Sequence, residues 1–115
     1  MLCPSVILNN NIMKDKLIEL TKKIGFTSAI IGKSIESLYS SKDFYYLWLC
    51  ELQKWCREIQ HLDVFVCDSI DLEYDWVIVN NVEGHIDHNE TGHEDYRDAL
   101  EEGLFKVCTI IKETN

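Results

Sequence analysis

The alternation of apolar and polar positions divides the chain into helices, a hairpin and a terminal helix. Lys14 to Ile24 places Leu17, Ile18 and Leu20 inward and stops at Gly25, which predicts a short helix. Thr27 to Tyr39 fits two patterns. Ile30, Ile31, Ile35 and Leu38 have helical spacing, whereas Thr27 to Ile31 is also compatible with a strand. Helix is the reading taken.

Asp43 to Gln60 has the clearest pattern. With Phe44 as origin and 100° per residue, Trp55, Trp48, Ile59, Leu52, Tyr45, Cys56 and Leu49 fall within an arc of about 140°. Glu51, Gln53, Lys54, Arg57, Glu58 and Gln60 fill the other side, and Asp43 is a suitable N-cap. The Trp48/Trp55 stripe reads as core.

Asp63 to Ile70 and Tyr74 to Val82 read as two strands. Val64, Val66 and Ile70 share one face of the first; Phe65 and Cys67 share the other. In the second, Trp76 and Ile78 alternate with Val77 and Val79. Asp71-Leu72-Glu73 suits an antiparallel hairpin connection. Both faces are apolar, and a two-stranded ribbon is unstable without cover. Helices are expected on one face. The other face, or an edge, requires a third strand, a loop or another subunit.

Asn80 to Thr91 reads as a polar loop, with room for a short strand around His85-Ile86. A last helix is expected from Asp95 to Glu113, with capping-box-like starts at Thr91-x-x-Glu94 and Asp95-x-x-Asp98. Tyr96, Leu100, Gly103, Leu104, Val107 and Ile111 form its inward stripe. Gly103 in mid-helix costs about 1 kcal/mol relative to Ala, which predicts close approach of another backbone there. The fold class is therefore α+β: N-terminal helices, a long amphipathic helix, an antiparallel two- or three-stranded sheet, and a C-terminal helix packed on the sheet.

The 115 residues suit one domain, with 13–115 as that domain and 1–12 as a disordered extension or a mis-called start before the more natural Met13-Lys14-Asp15-Lys16. No apolar run approaches the ~20 residues of a membrane span, and the N-terminus lacks a signal-peptide pattern. Cytoplasmic location is expected. Five Cys without a C-x-x-C argue against a disulfide framework or a cysteine zinc site.

The net charge of −9 is unevenly spread. Residues 1–62 hold eight Lys/Arg and six Asp/Glu, whereas 63–115 hold three and fourteen. The acidic half repels phosphate backbones, so nucleic-acid binding is disfavoured. It suits a solvated face, or a surface that meets a basic partner or imitates DNA.

Tyr46-Leu47-Trp48-Leu49-Cys50-Glu51-Leu52-Gln53-Lys54-Trp55, a hairpin, and then Tyr96-Arg97-Asp98-Ala99-Leu100-Glu101-Glu102-Gly103-Leu104 form a specific arrangement. It resembles a group of small uncharacterised proteins of gut Bacteroidetes genomes, often associated with phage or mobile elements. The resemblance covers roughly residues 14 to 113. It implies a bacterial or phage accessory protein and transfers no activity, cofactor or catalytic residue. The chain departs from the group in its His-rich loop and at Cys56, where leucine is expected.

The segment Gly84-His85-Ile86-Asp87-His88-Asn89-Glu90-Thr91-Gly92-His93 supplies a metal candidate: His85 and His88 on a turn, completed by His93 or Asp87. The spacing matches no standard zinc motif. No catalytic serine, phosphate-loop or dinucleotide signature is present, and no cofactor is expected. A second candidate lies at apolar positions out of helical phase. Leu47 falls at about 300° among Glu51, Lys54 and Glu58, with Tyr46 and Cys50 also on the polar side. Phe105 falls about 180° from Tyr96, among Asp98, Glu101 and Lys112.

Tyr46, Leu47, Cys50 and Phe105 are therefore the expected partner interface. The functional expectation is a non-enzymatic accessory or protein-interaction module acting as a homodimer or with a protein partner, and touching neither nucleic acid nor membrane. The alternatives are an acidic inhibitor or DNA mimic, and a small metal-dependent enzyme using His85, His88 and His93.

Overall fold

A computed structural model describes residues 4–28, 42–68, 73–89 and 92–114, with side chains from Ile12 onward. The elements run α1 (Pro4–Ile24), α2 (Lys42–Ile59), β1 (Leu62–Asp68), β2 (Tyr74–Asn80), β3 (Gly84–His88) and α3 (Tyr96–Thr114). This is the α+β architecture that the patterning predicts, with the sheet ordered β1-β2-β3 and antiparallel throughout. Of the expected helix over 27–39, Thr27 and Ser28 are not helical and the rest lies outside the described residues, as do the connection at 71–72 and the Thr91 cap.

α1 begins at Pro4, ten residues before the expected Lys14. Proline suits a first helical position because its missing N–H has no partner there in any case. The stop at Gly25 is as expected. Its φ of 89° lets the Phe26 N–H turn back to the Thr21 carbonyl at 3.0 Å, which closes the helix. The turn drops Phe26 onto α2, with its ring centroid 5.8 Å from that of Trp48 and 5.5 Å from that of Trp55.

Tyr45, Trp48, Leu49, Leu52 and Cys56 of α2 are buried, as the arc predicts. Trp55 is half-buried, and two members of that arc are exposed. Phe44 is 49% exposed and Ile59 60% exposed. Each stands within three residues of a helix end, past the neighbours that phase alone takes for granted. Asp43 lies inside the first turn rather than at the N-cap, where its charge still complements the helix dipole.

β1 pairs with β2 from Leu62↔Asn80 to Asp68↔Tyr74. The second strand ends at Asn80, short of the expected Val82. There the Asn80 Oδ1 accepts the Val82 N–H at 2.8 Å and the Glu83 N–H at 3.0 Å, folding the chain into a turn. Gly84, with φ 90°, completes it and starts β3, so the sheet has three strands.

α2 and α3 cover the face that carries Val64, Trp76 and Ile78, all buried. α3 starts as expected at Asp95, whose Oδ1 accepts the Arg97 N–H at 2.7 Å. Gly103 sits where α3 crosses the sheet. A Cβ built there would meet the Trp76 Cβ and the Val64 Cγ1, each at 2.9 Å. The predicted close approach is therefore made by the sheet.

α1 packs along α3 and reaches α2, where the Lys14 ammonium lies 4.4 Å from the centre of the Tyr45 ring. Phe105, roughly opposite Gly103 around α3, shares a cleft with Leu20 of α1 and is half-buried against the core.

Gly103→Ala should destabilise the fold. Helix propensity favours Ala by about 1 kcal/mol, but the new methyl would overlap Trp76 and a β-branched valine, and overpacking costs about 1–3 kcal/mol. Chemical denaturation should show a net loss of stability, and a stabilised variant would refute the close-packed crossing.

Candidate functional site

The His-rich segment is organised by an irregularity in β3. Val77 faces His88, Ile78 faces Asp87, and Val79 faces His85, so Ile86 has no partner and forms a bulge. In a regular strand, residues three apart point to opposite faces. The bulge brings His85 and His88 to the same face. Their rings lie 5.1 Å apart, and the His85 Nε2 and His88 Nδ1 share a hydrogen bond of 3.1 Å.

His93 is held elsewhere. Its backbone bonds Tyr74 in both directions, at 2.6 and 2.9 Å. Its Nε2 lies 2.7 Å from the Glu102 Oε2, while the other carboxylate oxygen accepts the Trp76 indole N–H at 3.1 Å. The three histidines therefore do not converge. His85 and His88 could offer two ligands to an ion, but among the described residues no group of three or more His, Cys, Asp or Glu is arranged to hold a metal. Asp87 points to the other face, 3.8 Å from the Lys106 ammonium.

The four apolar positions out of helical phase separate as well. The Tyr46 ring meets Tyr96 edge-on at 6.5 Å and lies under the Arg97 guanidinium at 4.7 Å. Burial, and then the hydrogen-bonded Cys50 thiol, push the Tyr46 hydroxyl pKa up. Tyr46 and Cys50 are thus half-buried against the start of α3. Phe105 is half-buried and lines two clefts, one with Leu20 of α1 and one with Trp76 and Glu102. Leu47 remains 45% exposed. These positions do not form one contiguous patch.

A different surface does. Because Val64, Trp76 and Ile78 face the helices, alternation turns Asp63, Phe65, Cys67, Asp75, Val77 and Val79 to the other side of the sheet. His85 and His88 join them through the bulge. Phe65 is 40% exposed, the two valines are half-buried, and both histidines are exposed. None of the described helices covers this face. Its signal in the sequence was the apolar residues on both sides of the hairpin. The histidines were not assignable to it because a bulge leaves no mark in a hydrophobic pattern.

Several carboxylates have distinct surroundings. Asp63 is on the open sheet face, Asp87 and Glu102 are engaged beneath β3, and Glu101 points between the helices. There the Tyr45 hydroxyl donates to the Glu101 carboxylate beside Lys14, in a cavity of about 330 Å3. Burial raises the Glu101 pKa, partly offset by the Tyr45 hydrogen bond, and burial lowers that of Lys14. Burial also raises Asp98, with Asp95 adding to the effect. Here α1, α2 and α3 are tied together.

Among the described residues no helix is long and apolar enough to cross a membrane. No protein-family model, curated protein or solved structure matches the chain.

Two predictions follow from this chemistry. A carboxyl whose folded pKa is raised stabilises the protein at low pH, and that contribution is lost as pH rises through its folded pKa. Glu101→Gln keeps an acceptor for Tyr45 and cannot ionise. Its stability relative to wild type should therefore increase from acid to neutral pH, as read from urea midpoints across that range. Separately, Cys67 is exposed, whereas Cys56 and Cys108 are buried. The hydrogen bond with Cys56, and then burial, hold the Cys108 thiol well above its usual range. Ellman's reagent should modify Cys67 in the native protein and reach Cys56 and Cys108 after denaturation.

Proposed function

We propose that this chain is a non-enzymatic protein-interaction module whose working surface is the open face of its sheet. One observation carries the reading: Phe65, Val77 and Val79 form an apolar strip on the face that α2 and α3 leave bare. A sheet that is apolar on both sides leaves one side in water unless something covers it, and exposed apolar patches of this kind mark contact surfaces.

The polar chemistry elsewhere supports the same reading. Glu101, Glu102, Asp87 and Asp95 are each engaged with groups of the fold. The thiols Cys50, Cys56, Cys67 and Cys108 are free, which suits a reducing compartment, and we assign the protein to the cytoplasm. The resemblance of the long and terminal helices to small proteins of gut Bacteroidetes genomes supports a bacterial or phage accessory setting.

The test compares two surface substitutions in the full-length chain. Phe65→Glu should leave circular dichroism and melting nearly unchanged and abolish association with the binding partner in a native-host pull-down. Leu47→Glu, at an exposed position outside the sheet, should leave both fold and association intact. Equal retention of the partner by wild type and Phe65→Glu would refute the reading.

A further inference from the structure

We propose that His85 and His88 form a binding site for one divalent transition-metal ion of the class that takes imidazole, such as Ni2+, Cu2+ or Zn2+. The site requires no partner on the open sheet face.

Its basis is a distance. The His85 Nε2 and the His88 Nδ1 lie 3.1 Å apart on two exposed side chains. Two nitrogens with this separation, each about 2.0–2.1 Å from one ion, subtend about 95–100° at it. Neighbouring ligands subtend about 90° in octahedral or square-planar geometry and about 109° in tetrahedral geometry. The pair therefore has the bite of a chelate.

Local structure supplies that spacing. The bulge at Ile86 turns both imidazoles to one face of β3, and the pairing of His85 with Val79 and of His88 with Val77 fixes both backbone positions. Only rotation of two exposed rings separates the hydrogen-bonded pair from the chelating one. In the hydrogen bond one ring nitrogen donates its proton to the other. To hold an ion, both nitrogens must offer lone pairs, so that proton moves to the far nitrogen of its own ring. His85 then carries its N–H on Nδ1 and His88 on Nε2. This is a change of tautomer with no net loss of a proton.

The surrounding charge favours a cation. The chain has a net charge of −9, and Asp63 and Asp75 stand on the same sheet face as the two histidines. Lys106 approaches β3 from the other side, through Asp87. A dication at the imidazoles is therefore attracted.

Ligand number sets the strength. Among the described residues no group of three or more His, Cys, Asp or Glu converges. His93 is held by Glu102, and Asp87 turns to Lys106. Water thus fills the remaining positions, and the site is open rather than a closed structural one. Binding is expected to be exchangeable, in the micromolar range, and tighter for Cu2+ than for Ni2+ or Zn2+.

Isothermal titration calorimetry of the untagged full-length chain with NiCl2 tests this, since Ni2+ takes imidazole without oxidising thiols. One ion should bind per chain. His85→Ala and His88→Ala should each weaken binding at least tenfold. Cys67→Ser and His61→Asn, which remove other exposed donors, should leave it unchanged. Should a histidine variant fail to fold, wild type with substoichiometric Ni2+ replaces it: paramagnetic broadening of amide resonances should centre on residues 85–88.

Absence of Ni2+ uptake up to millimolar concentration would overturn the proposal. So would binding that both histidine variants retain, or broadening centred elsewhere. None of these readouts involves a second protein, so their failure leaves the contact-surface reading to be decided by Phe65→Glu.

Discussion

The contact on which the rest of the structure depends is the crossing of α3 over the sheet at Gly103. With no side chain there, the helix backbone settles against the Trp76 and Val64 side chains at a distance that any Cβ would prevent. One residue earlier, Glu102 accepts the Trp76 indole N–H and holds His93 with its second oxygen. The same tryptophan is thus fixed at its base by packing and at its edge by a charge-assisted hydrogen bond. Asn89 secures its backbone, accepting the Trp76 N–H at 2.8 Å. The sheet, α3 and the segment between them are locked at one point.

That lock explains the layering. With α3 seated on the sheet, α1 packs along it, and Phe105 is half-buried against the core at the edge of that contact. α2 takes the remaining part of the same sheet face, where the Gln53 side-chain amide donates to the Val64 carbonyl at 2.6 Å and so blunts the open edge of β1. Both covering helices lie on one side of the sheet. The other side keeps Phe65, Val77 and Val79 at the surface, and that asymmetry is the physical source of the functional proposal.

The bulge at Ile86 is the second determinant. Without the extra residue, His85 and His88 would project from opposite faces, one toward Trp76 and one toward solvent. With it, Asp87 alone turns inward, toward Lys106, and the two imidazoles meet on the open face. The same chain segment thereby contributes one group to the underside of the sheet and two to its outer surface.

The sequence by itself determined the elements and most of the core. Period 3.6 placed Trp48, Leu49, Leu52 and Cys56 inward, and Leu100, Leu104, Val107 and Ile111 likewise, because amphipathic faces follow directly from residue spacing. Period 2 separated Trp76 and Ile78 from Val77 and Val79, and a glycine in mid-helix announced a close contact. Tertiary structure alone decided what each face meets. Phase could not foresee that Phe105 would be half-buried against the core, or that Phe44 and Ile59 would extend past their neighbours, since these depend on how layers stack. Nor could it place the histidines, because a one-residue bulge reverses facing without altering composition. Local periodicity fixes the direction of a side chain relative to its own element; its surroundings come from elements distant in the chain.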